Sequence, residues 1–261
     1  MATTPSRSHA RHLAAAGMFF SLPLILVASV VACSGAANEP GSSASDLSQS
    51  KSDAGARGLK LPHVLMKTSL GDIEIEIDTE RAPITGAHFL SIVQKGLYNS
   101  GLFHRTVTND NQEGSPVKIQ VIQAATNPAE PDVKSIPLER TSVTGIHHLS
   151  GTISMARAAP TDSATSQFFL CIGDQPELDF GGRRNPDGQG FAAFGHITTG
   201  ASVVSAIQKS PADGQNLTPP ILIESAVIEG ANATDTFTDP ADSLSFDDSD
   251  GGSSADASSG D

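Results

Sequence analysis

Residues 61–230 of this 261-residue chain predict an all-β fold, an eight-stranded closed antiparallel β-barrel capped by two α-helices. Two observations carry that prediction. Most of the stretch reads as short strands, several with apolar side chains at every second position, separated by turns rich in Gly, Pro, Asn and Asp. Only two segments carry apolar side chains at helical spacing, and there is no internal repeat. About eight strands with two helices fit a sheet that closes on itself, with the helices covering its open ends. About 170 residues is an ordinary size for one such domain.

The elements follow in order. His63 to Ser69 is a first strand. "GDIEIEID", from Gly71 to Asp78, alternates Ile73, Ile75 and Ile77 against Glu74 and Glu76, so one face is buried and the other wet. The short link at Leu70-Gly71 makes the two an antiparallel hairpin. Pro83 opens a helix where its missing N–H costs nothing. Phe89, Ile92, Val93 and Leu97 share one helical face, and Gly96 is the stop signal. Strands are expected at 103–108, 117–123, 152–156, 167–172 and 191–197. In 117–123, Val117, Ile119 and Val121 alternate with Lys118, Gln120 and Ile122, and the turn-like residues 109–116 precede them. A second helix spans 201–209 with Val203, Val204 and Ile207 inward, and Pro219-Pro220 turns the chain into a last strand, 221–228.

The flanks differ in composition. Residues 1–32 start with Arg7 and Arg11 and continue as an apolar run from Leu13 to Ala32, broken by Pro23. A basic start, an apolar middle and small residues at the end describe a secretory signal peptide. Cys33 directly after Val30-Val31-Ala32 resembles the bacterial lipobox. That resemblance implies cleavage before Cys33, acylation of its thiol and anchoring in a lipid bilayer. The run is also about long enough for a transmembrane anchor, and the position of Cys33 favours the lipoprotein. Residues 33–60, rich in Ser, Gly, Ala and Asp, suit a flexible tether. Ser34 offers no inner-membrane retention signal. The expectation is an extracytoplasmic protein, lipid-anchored on the periplasmic side of the envelope at the outer membrane. Residues 231–261 hold eight Asp and no Lys or Arg, which supplies −8 of the formal −13, and read as an acidic disordered tail. Asp247, Asp248 and Asp250 offer a weak alternative there, a Ca²⁺ site.

Several chemistries lack support. The remaining net charge of −5 and the absence of a basic patch argue against nucleic acid. Ser150, Ser154 and Ser166 lie near His147 and His148, but no Gly-x-Ser-x-Gly elbow is present, so a hydrolase triad is not expected. The His147-His148 pair lacks metal partners at suitable spacing; no metal and no cofactor is expected. "GGRRNPDGQG", residues 181–190, matches neither phosphate-loop nor dinucleotide patterns and reads as a long surface loop. Cys171 lies in an apolar run and reads as a small core residue. What stays unexplained is a set of polar side chains on apolar strands: Arg105, Gln123 and Gln167. Either they line a binding groove, or each satisfies local backbone groups; the residues alone leave both readings open.

A resemblance bears on that choice. "GDIEIEIDTERAPITGAHFLSIVQKGLYNSGLFHR", "GTISMARAAPTDSATSQFFLCIGD" and "FAAFGHITTGASVVSAIQK" resemble, in this order, three segments of bacterial cyclophilins, and the likeness spans about 63–229. It implies a cyclophilin-like barrel and peptidyl-prolyl cis–trans isomerase activity on proline-containing polypeptides, by a monomer. Arg105 would be the catalytic donor, and Gln123 would hold it and touch substrate. Gln167 would sit on the groove floor. Val121, Phe169, Leu178 and Phe191 would wall the proline pocket, and Ala156 and Arg157 would form the edge that pairs with the peptide backbone, the Arg157 side chain being a solvated charge. The chain departs from the family in three places. Gln120 and Val121 stand where an aromatic and a thioether wall is usual. Glu177 replaces the tryptophan of many eukaryotic members. Arg105 and Gln123 are 18 residues apart instead of eight, so the 109–116 loop enlarges a hairpin turn at the groove rim. A non-catalytic cyclophilin-like module or chaperone that grips proline segments is the competing reading.

Overall fold

The computed structural model describes residues 61–131, 133–230 and 236–243. The signal segment, the tether with Cys33 and the Asp247–Asp250 cluster lie outside the described residues. Nine strands occur in the order β1 His63–Thr68, β2 Gly71–Ile77, β3 Gly101–Val107, β4 Val121–Ala125, β5 Thr152–Met155, β6 Phe168–Cys171, β7 Ala192–Thr199, β8 Ala212–Asp213 and β9 Asn216–Glu229. Hydrogen-bonded neighbours run β1-β2-β7-β5-β6-β4-β3-β9, and β9 pairs back onto β1. Eight antiparallel strands therefore close into a barrel, and the two-residue β8 only extends β9.

The alternation read in β2 becomes its burial: Ile73, Ile75 and Ile77 point into the barrel, while Glu74 and Glu76 stay partly exposed and meet His63 of β1 at 2.8 and 3.3 Å. Helix α1, Pro83–Gln94, starts at the expected proline. Its first N–H groups are received by a distant carboxylate, Glu139, at 3.2 Å from Ile84 and 2.7 Å from Thr85. Its end is a Schellman turn: Gly96 sits at φ +72° and donates to Val93, while Leu97 donates to Ile92. Phe89 lies between barrel and helix, 5.2–5.6 Å from the rings of Tyr98, Phe168 and Phe194. Helix α3, Ala201–Gln208, buries Val204 and Ile207. A four-residue helix α2, Thr141–Thr144, lies between β4 and β5.

Three expectations change. The strand expected at 117–123 is β4, Val121–Ala125, because the backbone before it is held mainly by side chains, with one main-chain bond from Ile172 N to Gln120 O at 3.0 Å. The buried Gln112 amide donates to Ile119 O at 2.8 Å and accepts from Ile119 N at 3.2 Å, and Gln175 accepts from Gln120 N at 3.0 Å. Pro219-Pro220 falls inside β9 and not before it. The tail is also not solvated from residue 231 onward: residues 236–243 pack on α1. Asp239 is 4% exposed, its carboxylate lies 2.8 Å from Nδ1 of the fully buried His88, and it caps the short helix α4, Pro240–Ser243, by accepting from Ala241 N. This contact accounts for the buried His88 and Ser91 of α1, both of which bond to the Asp239 carboxylate. The signal was present in sequence, since Asp followed by Pro is an N-cap and first-turn pair.

Candidate active site

Two apolar clusters share the strands β4 and β6. Ile122, Ala124, Phe168 and Leu170 point into the barrel core. Val121, Phe169 and Cys171 point outward and join Val107, Ile119 and Leu178, with Ala156 and Phe191 packed against them. The two-residue period thus makes one strand pair serve as both core wall and pocket floor. Cys171 belongs to this outer cluster and not to the barrel core; burial pushes its thiol pKa far up, so it is no nucleophile.

The outer cluster opens as a cavity of about 140 Å³ lined by Arg105, Ile119, Val121, Gln123, Ala156, Arg157, Phe169, Leu178, Arg184 and Phe191. That is below the roughly 300–1,000 Å³ of drug-sized sites and suits a single side chain. Gln123, Ala156 and Arg157 also border a second depression of about 300 Å³ with Ala158, Ser163, Thr165 and Gln167. The structure therefore brings all nine residues expected at the site onto one continuous groove. Phe169 and Phe191 meet edge to face at 5.5 Å. The wall expected from Gln120 and Val121 is built instead by Ile119 and Val121, because Gln120 precedes β4 and its backbone is tied to Gln175 and Ile172.

Arg105 of β3 faces Gln123 of β4 in direct register. Its Nη1 donates to Gln123 Oε1 at 2.9 Å, and Gln123 Nε2 donates to Gln167 Oε1 at 2.7 Å. From the other side, Nε and Nη2 both donate to Gln215 Oε1, at 2.9 and 2.5 Å. Gln215 donates in turn to Asn111 O at 2.9 Å, and the Asn111 side chain holds Thr108 N, Thr106 O and Gly214 O. A guanidinium has five N–H groups. Three are used here, which fixes the plane and leaves two for a ligand. Burial, and then the charge of Arg184, hold the Arg105 pKa below its ordinary value; guanidinium nevertheless stays charged at neutral pH. Sequence reasoning missed Gln215, since a single Gln in a turn 110 residues from its partner carries no local signal.

The far wall depends on the 181–190 loop. Arg157 is not a solvated charge. Its side chain is covered, its Nη2 grips both oxygens of Asp187 at 2.9 and 2.7 Å, its Nε donates to Gly190 O, and it lies 5.4 Å over the Phe191 ring. Gly190 is required there, because a Cβ would come within 2.6–2.7 Å of the Leu178–Asp179 backbone. Glu177 faces Arg183 at 2.8 Å, and that hydrogen bond holds its carboxyl below the usual range.

Behind Phe169 lies a second polar chain. Asp179 Oδ1 is 2.6 Å from His148 Nδ1, and His148 Nε2 is 2.9 Å from Ser154 Oγ. The order resembles a hydrolase relay, but His148 and Ser154 are 1% and 0% exposed. His148 is stacked on Phe169 at 5.9 Å. A substrate carbonyl has no access to Ser154, so the chain is a buttress for the pocket floor. Burial acts to raise the Asp179 pKa, and bonds from His148 and His147 outweigh it, so the net direction is down. Among the described residues, no group of three or more metal-ligating side chains is arranged to hold a metal ion.

A closed barrel with a fixed guanidinium beside a small apolar pocket defines a site with room for one compact apolar group and donors at its mouth. The family model described as cyclophilin type peptidyl-prolyl cis-trans isomerase/CLD matches residues 63–228, and the chain belongs to that family. Among its relatives is peptidyl-prolyl cis-trans isomerase A of Dickeya dadantii, 37% identical over 171 residues that cover 64% of this chain and 84% of the relative. Peptidyl-prolyl cis-trans isomerase B of Escherichia coli K12 is 28% identical over 66% of this chain and 99% of its own. In fold, the chain is similar to a Cryptosporidium parvum cyclophilin type peptidyl-prolyl cis-trans isomerase solved in the presence of the dipeptide Ala-Pro. The TM-score is 0.53 at 20% identity, over 65% of this chain and 99% of that one.

Proposed function

We propose that the protein is a peptidyl-prolyl cis–trans isomerase that assists folding of extracytoplasmic proteins from a lipid anchor at Cys33. The observation that carries the catalytic part is the double fixation of Arg105 between Gln123 and Gln215 at the mouth of the apolar pocket. A planar Xaa–Pro amide delocalises its nitrogen lone pair, and rotation is slow because it breaks that resonance. In the twisted amide the lone pair localises on the prolyl nitrogen and accepts a hydrogen bond that the planar form accepts poorly. A guanidinium already oriented toward that nitrogen binds the twisted amide better than either planar isomer, which is what lowers the barrier. Val121, Phe169, Leu178 and Phe191 hold the prolyl ring, Ala156 offers its backbone to the peptide, and Gln167 keeps Gln123 turned toward Arg105. No covalent bond to substrate is needed. The extracytoplasmic location rests on the Leu13–Ala32 run and Cys33.

The test follows cis-to-trans conversion of a short Xaa–Pro peptide with the protein and with Arg105→Ala. Removing one preorganised donor typically costs about 10²–10³ in turnover, and a loss of that size is expected. Equal rates in both proteins overturn the role of Arg105. Binding of the peptide without acceleration leaves the competing reading, a proline-gripping module. Mass spectrometry of the membrane fraction tests the anchor: an unmodified or uncleaved Cys33 removes it.

A further inference from the structure

Arg184 stands in the proline pocket, and among the described residues no carboxylate lies within ion-pair distance of it, unlike several other arginines of the chain. Arg81, Arg157 and Arg183 face Asp78, Asp187 and Glu177 at 2.6, 2.7 and 2.8 Å. Arg184 and Arg105 line the same cavity, and among the described residues neither has a carboxylate within ion-pair distance. Arg184 is held from behind through one nitrogen only: Nη1 donates to Gln112 Oε1, Ser115 Oγ and Val117 O at 3.0, 2.9 and 2.8 Å. Those three acceptors come from the extra residues between Arg105 and β4. Its Nε and Nη2 have no acceptor among the described residues. The two uncompensated cations are close enough for the Arg184 charge to depress the Arg105 pKa, in a chain with formal net charge −13.

Resting on the isomerase reading, we propose that Arg184 is a specificity-determining residue that selects prolines flanked by an acidic side chain. A carboxylate beside the bound proline meets the free edge of Arg184, and its charge relieves the repulsion between Arg184 and Arg105. A guanidinium presents paired donors that match carboxylate geometry, and a partly desolvated pocket keeps the pairing from being fully screened. The loop 109–116 and the loop 181–190 thus act together: one fixes the plane of Arg184, the other carries it.

The experiment uses the full chain and amidated peptides that differ only in Glu, Gln or Lys next to proline, with a further peptide that ends in proline with a free carboxylate. The ratio of kcat/KM for Glu over Gln is expected to be about tenfold at low salt, to shrink as salt rises, and to reverse for Lys. Arg184→Gln brings the ratio to about one, and Arg184→Lys keeps part of it. A ratio of one in the unaltered protein, with both peptides turned over, overturns the proposal. So does a ratio unchanged in Arg184→Gln, or a preference confined to the free chain end. If no peptide is turned over, the isomerase reading fails, and dissociation constants for the same Glu and Gln peptides still read the selectivity.

Discussion

Gln215 decides how well Arg105 can act, because it receives two of the three N–H groups that fix the guanidinium. Gln215→Ala is expected to lower kcat about tenfold with KM nearly unchanged and the melting temperature barely moved. Gln215→Glu keeps an acceptor and restores most of the rate. A parallel rise in KM would mark Gln215 as a binding residue and not a positioning one. At the same scale, Asp179 gives a pH signature. Its folded pKa is depressed, so its ionised form stabilises the fold above the unfolded value of about 3.9, and that contribution is lost as pH falls through the folded value. Asp179→Asn should therefore melt earlier than the parent at pH 7, and the gap should begin to narrow as pH falls below about 4. A gap that does not narrow at all as pH falls from about 5 to about 3 contradicts the assignment.

Among elements, what the sequence made legible depended on how far a signal reached. The β1–β2 hairpin was readable because its alternation and its turn are local. Pro83 and Gly96 marked α1 for the same reason. Arg105, Gln123 and Gln167 stood out as polar side chains on apolar strands, but their roles, and Phe169 beside them, were legible only through resemblance, since a polar residue on a strand says nothing by itself of the neighbouring strand. The shift of β4 was hidden because Gln112 replaces strand pairing at Ile119, a substitution of side chain for ladder that no periodicity reports. The extra loop is consequently a folded part of the site. It supplies Asn111 behind Gln215 and Gln112 behind Ile119 and Arg184, beyond enlarging the rim. Gln112→Ala leaves both polar groups of the Ile119 peptide buried without partners, at about 1–3 kcal/mol. For a folded unit of this size that corresponds to roughly 5 °C in melting temperature, with a raised KM as Ile119 leaves the pocket wall. Calorimetry and peptide titration check the two halves, and an unchanged melt would show the loop to be dispensable.

For the whole molecule, the consequential finding is that the folded unit does not end at residue 230. Asp239 reaches back to His88 across 151 residues, and His88 Nε2 donates to Thr165 O at 2.7 Å, two residues before Gln167. The C-terminal segment thereby supports the groove edge through α1. Cutting the chain after Gly230 removes the partner of a fully buried imidazole nitrogen and uncovers Ala241's contact with α1. A buried polar group left without a partner costs about 1–3 kcal/mol, so the shortened chain should melt several degrees lower and bind proline peptides more weakly. Asp239→Asn separates charge from packing. Burial acts to raise the Asp239 pKa, and bonding from His88 outweighs it, so the net direction is down. A carboxyl depressed on folding stabilises above its unfolded pKa and ceases to do so as pH falls through the folded one. The variant should therefore trail the full chain at pH 7 by a gap that narrows as pH falls below about 4, whereas the truncation keeps a gap at low pH too, because it also loses the apolar cover. Identical melting curves for the full and the shortened chain at pH 7 would restore the view of residues 231–261 as a solvated appendage.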